Sequence, residues 1–132
     1  YRVQQDLQKM MQSLVGIVRT EKEMLQALEG LEELKRRAAR VRVDGNRAYN
    51  PGWHTALDLQ NLLVVSEAIT RSALERRESR GAQFREDWPN KDAAFGKLNI
   101  VVRKGPDGRA QVRREPIPPL SRELQQIVEE LK

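Results

Sequence analysis

The chain contains no cysteine, a single histidine and few aromatic residues. The absence of cysteine excludes disulfide bonds, thiolate metal ligands and cysteine nucleophiles. His54 is the only histidine, and although Asp58 lies one helical turn after it, these two side chains cannot complete a stable metal site without further ligands. We therefore expect no metal site in this chain.

Long apolar runs and phosphate-binding glycine loops are missing as well. The longest strongly apolar run, 62–65, is far too short to span a bilayer, and no charged-then-apolar leader opens the chain. Neither GxGxxG between a strand and a helix nor GxxxxGKS/T occurs, so the chain lacks the glycines that bring backbone N–H groups close to a pyrophosphate. We expect a soluble chain that has no export signal and binds no dinucleotide by itself.

Charged residues, in contrast, are abundant. They make up 33% of the 132 residues, and the formal net charge is +5. A chain of this length forms one domain or one compact piece of a larger polypeptide. Because the sequence begins at Tyr1 inside a helical pattern and without an initiator methionine, we expect a piece of a longer protein.

A basic cluster offers the best case for nucleic-acid binding, and its members are Lys35, Arg36, Arg37, Arg40 and Arg42. The basic residues of this chain are mostly interleaved with glutamates at helical spacing, which is typical of a solvated helix face. Aromatic stacking partners are also scarce. We expect no nucleic-acid partner, and a stand-alone basic helical binding module is the alternative from another class of function.

Apolar periodicity predicts three helices in the first part of the chain. The first covers about 3–15 and ends at Gly16, and the second covers about 20–40. Thr20 and Glu23 have the spacing of a capping box at the start of the second helix. The third, about 53–77, is apolar around much of its circumference, so we expect it to be central, covered on more than one side, with Leu62 buried.

The second part of the chain changes period. Strand-like runs at 98–103 and 110–114 flank a glycine-containing turn, which predicts a β-hairpin, and prolines then precede a short last helix. The expected fold is mainly α: a three-helix bundle followed by a β-hairpin and a short C-terminal helix. We expect one domain, 1–132, with the bundle at about 3–81 and the remaining elements at about 82–132.

The segment 76–89 reads RRESRGAQFREDWP and joins these two parts with a dense run of charges. It resembles the ESRGxHxRxDxP signature of the C-terminal helical domain of succinate dehydrogenase and fumarate reductase flavoproteins. Segments 10–20 and 58–81 resemble the opening helix and the signature helix of the same family. One departure is visible, because Gln83 stands where the family usually has histidine, and glutamine cannot titrate near neutral pH.

The resemblance implies a parent enzyme that interconverts succinate and fumarate with FAD and passes electrons to an iron–sulfur subunit. FAD and the dicarboxylate would be held by preceding FAD-binding and capping domains of the same polypeptide, so the resemblance places no catalytic or cofactor-binding residue in this chain. The assembled enzyme would be cytoplasmic, at the inner face of the cell membrane, with indirect contact to a membrane-anchor subunit. L-aspartate oxidases share the architecture and are the alternative within this class.

The charged signature predicts an interdomain docking surface, because arginine forms bidentate, charge-assisted pairs. The candidate docking residues are Arg77, Glu78, Arg80, Gln83 and Arg85. The alternative is that the arginines pair only locally, with Glu75, Glu86 or Asp87. Ser79 lacks the flanking glycines and base of a nucleophile, so we expect it to cap a helix or bond to the backbone.

Overall fold

A computed structural model describes residues 1–131 and confirms a mainly α fold. The elements follow the predicted order, with a short parallel strand pair that the sequence did not indicate. Among residues 1–131, none of the helices combines the length and the apolar character that a membrane crossing requires. In chain order the elements are α1 (Arg2–Leu14), β1 (Val18–Arg19), α2 (Glu21–Ala38), α3 (Pro51–Glu75), β2 (Phe84–Arg85), a 3₁₀ helix (Phe95–Lys97), β3 (Leu98–Lys104), β4 (Ala110–Pro116) and α4 (Arg122–Glu130).

Side-chain caps fix the starts of α2 and α3. The Thr20 hydroxyl accepts a hydrogen bond from the Glu23 backbone N–H at 3.2 Å and donates to the Glu23 carboxylate at 2.8 Å, which confirms the predicted capping pair. α3 begins two residues earlier than predicted. The Asn50 side chain caps it by accepting from the Trp53 N–H at 3.3 Å, and Pro51 occupies the first turn, where its missing N–H is not needed.

The core lies between the three long helices. Leu7 of α1, Leu31 and Leu34 of α2, and Leu59 and Leu63 of α3 are each at most 4% exposed, so the helices pack through one apolar stripe each. Gly30 lets α1 and α2 approach closely, because a Cβ at this position would collide with the Met10 sulfur. These contacts confirm the three-helix bundle.

α3 contacts α1, α2 and both strands of the hairpin, but the prediction that Leu62 is buried is wrong. The stripe with Leu59 and Leu63 is buried, but Leu62 is 37% exposed, Val65 54% and Ile69 45%. Only α1, α2 and the hairpin are present to cover α3, and they do not surround it. We call Leu62, Val65 and Ile69 the α3 ridge.

The hairpin and α4 follow the bundle as predicted. β3 and β4 pair antiparallel from Leu98↔Pro116 to Lys104↔Ala110, and Gly108 adopts a positive φ of 78° in the turn, which favours glycine. The hairpin is joined to α3 by an ion pair of 2.6 Å between Arg114 and Glu75. α4 is amphipathic but buries none of its residues within the described chain.

Neighbouring leucines on α3 test this packing. Leu63→Ala should lower the free energy of unfolding by about 2–5 kcal/mol, because it leaves a cavity in the core. Leu62→Ala should cost less than about 1 kcal/mol, because the Leu62 side chain is partly exposed. Urea denaturation of both variants measures the difference, and equal losses would contradict the orientation of α3.

Candidate docking site

A short parallel strand pair fastens the segment after α3 to the turn between α1 and α2. Phe84 donates its backbone N–H to the Ile17 carbonyl at 3.0 Å, and Glu86 donates to the Arg19 carbonyl at 3.1 Å. The signature therefore returns to the start of α2 instead of extending away from the bundle. This return brings three chain segments together at one end of the helices.

Arg85 is fully buried at this junction. Its Nε and Nη2 atoms donate to the two carboxylate oxygens of Asp87 at 2.7 and 2.6 Å, as a bidentate pair. Its Nη1 atom donates to the carbonyl oxygens of Ala73 at 2.9 Å and Leu74 at 3.3 Å. Arg85 thus satisfies carbonyls at the C-terminus of α3, where the helix dipole favours a positive charge.

Asp87 has a second partner at the start of α2. Its Oδ2 atom accepts a hydrogen bond from the Glu21 backbone N–H at 3.0 Å. The N-terminus of a helix favours a negative charge, so the carboxylate of Asp87 suits the start of α2. The guanidinium of Arg85 likewise suits the C-terminus of α3. The hydrogen bonds from Arg85, followed by that from Glu21, lower the pKa of Asp87.

Glu78 forms a second centre of charge, and its side chain is fully buried. Its carboxylate accepts from Arg80 Nε at 2.7 Å, from Arg80 Nη2 at 3.0 Å and from Arg76 Nη1 at 2.6 Å. The Asp92 backbone N–H is a further donor, at 2.8 Å. Hydrogen bonds from Arg80 and then from Asp92 and Arg76 outweigh the effect of burial and lower the pKa of Glu78 to about 2.

Gln83 links three parts of the junction. Its amide nitrogen donates to the carbonyls of Arg76 at 3.1 Å and Glu78 at 3.2 Å, and its amide oxygen accepts from Arg19 Nη1 at 2.9 Å. A neutral imidazole offers one donor and one acceptor, so it could not make all three hydrogen bonds. Glutamine at this position therefore suits a structural role.

Ser79 bonds to the backbone, as one of its two predicted roles requires. Its hydroxyl accepts from the Arg85 N–H at 2.8 Å and donates to the Trp88 carbonyl at 2.9 Å. Asp87 is bonded to Arg85, and the adjacent Glu86 is exposed. No buried polar side-chain atom among the described residues lacks a hydrogen-bond partner.

The five candidate docking residues occupy different depths. Glu78 and Arg85 are buried, Gln83 is half-buried, Arg80 keeps 39% of its side chain exposed, and Arg77 is exposed. Local pairing accounts for Arg85 with Asp87 and for Arg80 with Glu78. The outward-facing members of the predicted set are therefore Arg77 and part of Arg80.

Arg76 and Arg19 are important contacts that were absent from the predicted set. Arg76 donates to the Phe95 carbonyl at 3.0 Å and to the Leu98 carbonyl at 2.8 Å, which joins α3 to the hairpin. The position of Arg76 after the last helical residue was a signal for such a role. Arg19 gave no comparable signal, because its partner Gln83 lies 64 residues away in the chain.

The outer surface of the junction includes apolar side chains. Phe84 is 42% exposed and Trp88 44%, while Ile17 and Val18 of the neighbouring turn are 69% and 52% exposed. The segment therefore buries Glu78 and Arg85 but exposes two aromatic side chains beside its exposed charges. Exposed aromatic residues of this kind are typical of an interface.

The other candidate sites have local explanations. In the basic cluster, Lys35 pairs with Glu32 and Glu67, and two arginines pair in turn with Glu33 and Asp6. Within residues 1–131 there is no group of three or more histidine, aspartate or glutamate side chains that could hold a metal ion.

Known proteins share this fold and sequence. Residues 4–127 match the family described as "Fumarate reductase flavoprotein C-term". The succinate dehydrogenase flavoprotein subunit of Coxiella burnetii is 36% identical over 128 residues, which are 92% of this chain and 22% of the relative. The solved structure of Mycobacterium smegmatis Sdh1 in complex with UQ1 superposes with a TM-score of 0.89 at 41% identity, covering 98% of this chain and 22% of that chain.

An L-aspartate oxidase of Acinetobacter baylyi is also similar. It is 37% identical over 96 residues, which are 73% of this chain and 17% of the relative. The chain thus spans only about a fifth of the length of the relatives it matches.

Removal of the buried guanidinium tests the role of Arg85. Arg85→Met should lower the free energy of unfolding by about 3–5 kcal/mol, because Asp87 and the α3 carbonyls lose their partner. Arg36→Met is the matched control, since Arg36 forms an exposed pair with Glu33, and it should cost at most about 1 kcal/mol. Urea denaturation gives both values, and similar losses would contradict a structural role for Arg85.

Acid titration tests Glu78. Its folded pKa of about 2 lies below the ordinary 4.5, so its contribution to stability is complete above pH 4.5 and is lost as the pH falls towards 2. Asp87, with a lowered pKa, should contribute in the same direction. Thermal unfolding measured across this range should show a steep loss in the unsubstituted chain and a smaller one in Glu78→Gln. An unchanged slope in the variant would exclude Glu78 as a source of the loss.

Proposed function

We propose a function from one premise: this chain belongs to the succinate dehydrogenase and fumarate reductase flavoprotein family, as the C-terminal domain. In our proposal the chain docks against the FAD-binding and capping domains of the same polypeptide. The whole protein would interconvert succinate and fumarate and pass electrons to an iron–sulfur subunit. The domain would help to position the FAD-binding and capping domains, while the cofactor supplies the redox chemistry.

The observation that carries the docking proposal is the exposure of Phe84 and Trp88 on the signature segment. A domain whose signature segment faced only solvent would gain nothing from exposing Phe84 and Trp88 while burying Glu78 and Arg85. An interface explains both features, because aromatic side chains anchor contacts and a rigid loop reduces the entropy lost on association. The α3 ridge supports the same conclusion, since an apolar helix stripe needs a cover.

The five candidate docking residues have two kinds of role in this proposal. Arg77 and the exposed part of Arg80 can reach a partner domain directly. Glu78, Gln83 and Arg85 act from inside, because their hydrogen bonds hold the loop that presents Phe84 and Trp88. Docking thus depends on the signature charges mainly through the shape that they impose.

In our proposal this chain holds no FAD. Each buried charged group of the junction is already bonded to a partner within residues 1–131, and these groups leave no free donor set for a pyrophosphate. We assign FAD to the remaining four fifths of the parent protein and expect none to bind to the 132-residue chain. We further propose a cytoplasmic location at the inner face of the membrane, with indirect contact to an anchor subunit.

An L-aspartate oxidase remains the second candidate for the parent enzyme, because one such relative is 37% identical to this chain. It ranks lower, because that similarity covers 73% of the chain, against 92% for the succinate dehydrogenase relative. Assays of the full-length protein with succinate, fumarate and L-aspartate distinguish the two. Turnover of L-aspartate alone would replace the first candidate with the second.

Exposed apolar residues provide the test of docking. In the full-length flavoprotein, Phe84→Ser and Ile69→Ser should each reduce the amount of FAD retained through gel filtration, because each removes apolar contact from the proposed interface. In the 132-residue chain the same substitutions should leave the melting temperature nearly unchanged, because both side chains are partly exposed.

Val41→Ser is the matched control. Val41 is 40% exposed and lies in the loop after α2, at the opposite end of the bundle from the signature. This variant should retain as much FAD as the unsubstituted protein. Full retention in all three variants would refute docking through these surfaces.

A further inference from the structure

A groove of about 590 Å³ lies between α3 and the hairpin, beside the signature segment. Its apolar lining includes Val65 and Ile69 of the α3 ridge and Ile100 of β3. Its polar lining includes Arg19, Arg76, Gln83 and Asn99. The groove is thus an apolar surface with two arginines, and Arg76 already pairs with Glu78.

Arg19 differs from Arg76, Arg80 and Arg85 in its partners. Arg85 has the carboxylate of Asp87, and Arg76 and Arg80 share that of Glu78. Arg19 donates only to the Gly16 carbonyl and the Gln83 amide oxygen, and no carboxylate of residues 1–131 lies within ion-pairing distance of it.

The surroundings of Arg19 disfavour its charge. Burial, and then the positive charge of Arg85, lower the pKa of Arg19. A half-buried guanidinium without an opposite charge is costly, and a carboxylate entering the groove would remove that cost. The electrostatics of the groove therefore favour an anionic ligand.

The apolar lining of the groove and the short length of this chain relative to its relatives indicate what kind of anionic ligand binds. A free small anion would leave Val65 and Ile69 exposed, whereas an acidic side chain on a protein segment brings apolar neighbours that cover them. About four fifths of each relative lies outside the matched region. A tethered segment of the same polypeptide has a high effective concentration at the groove, which favours it over a separate protein.

We propose that Arg19 binds the carboxylate of an aspartate or glutamate from the FAD-binding part of the same polypeptide. The segment that carries this residue covers Val65 and Ile69. The inference rests on the proposed docking function and adds to it a specific ion pair, formed by a residue outside the signature.

Zero-length cross-linking tests this ion pair. In the full-length flavoprotein, Arg19→Lys introduces an amine, and a carbodiimide joins it to a carboxylate only at direct contact. We expect tryptic peptide mass spectrometry to find an amide bond between position 19 and one acidic residue of the FAD-binding part. Retained FAD verifies that the variant is folded.

Two further variants sharpen the result. Arg36→Lys is the positive control, because Arg36 lies 2.6 Å from Glu33, and it should form a local link only. Asn99→Lys keeps Arg19 and places an amine on the hairpin wall of the same groove, so it should link to the same acidic residue of the FAD-binding part. This second position keeps the test decisive if Arg19→Lys fails to fold.

Several outcomes would overturn the inference. Links only to acidic residues of the 132-residue chain, such as Asp87, would mean that no segment of the FAD-binding part occupies the groove. Links to another subunit or to a second copy would assign the groove to a different partner. If Phe84→Ser still releases FAD while neither lysine variant links to the FAD-binding part, docking stands and the Arg19 ion pair does not. If Phe84→Ser, Ile69→Ser and Val41→Ser all retain FAD, the docking proposal itself fails.

Discussion

The ion pair between Arg85 and Asp87 is the interaction on which the rest of the structure depends. Its cation lies at the C-terminus of α3 and its anion at the N-terminus of α2, so each charge meets the helix end that favours it. The two strong hydrogen bonds of the pair connect these ends. Together with the pairing of β1 and β2, this ion pair fixes the signature segment relative to the bundle.

This constraint explains how the segment buries Arg85 and still exposes Phe84 and Trp88. Once Arg85 and Glu78 are held within the chain, the intervening turn at Gly81, with a φ of 60°, directs Phe84 outwards. The exposed aromatic residues and the α3 ridge then form surfaces suited to a partner domain. In our proposal the signature supports docking by shaping this surface, while Glu78 and Arg85 act from inside the chain.

Much of the fold could be predicted from local patterns. The Thr20–Glu23 cap, the three amphipathic stripes and the hairpin turn depend on residues close in sequence. Each of these features can therefore be predicted from its own segment of the sequence. The misjudged feature was the environment of α3. Its apolar residues were recognised, but periodicity does not reveal how many neighbours a helix has, and Leu62 proved partly exposed.

The sequence by itself therefore determined the elements, the family resemblance and the importance of the signature segment. Only the tertiary structure decided that the signature segment meets the start of α2, because Gln83 and its partner Arg19 are 64 residues apart, and the Glu21–Asp87 contact spans 66 residues. Such contacts follow from the parallel pairing of β1 with β2, and strands this short leave almost no sequence pattern. Arg85 finds its carboxylate two residues away in Asp87, whereas long-range geometry places Arg19 beside the neutral Gln83, with no carboxylate partner among residues 1–131.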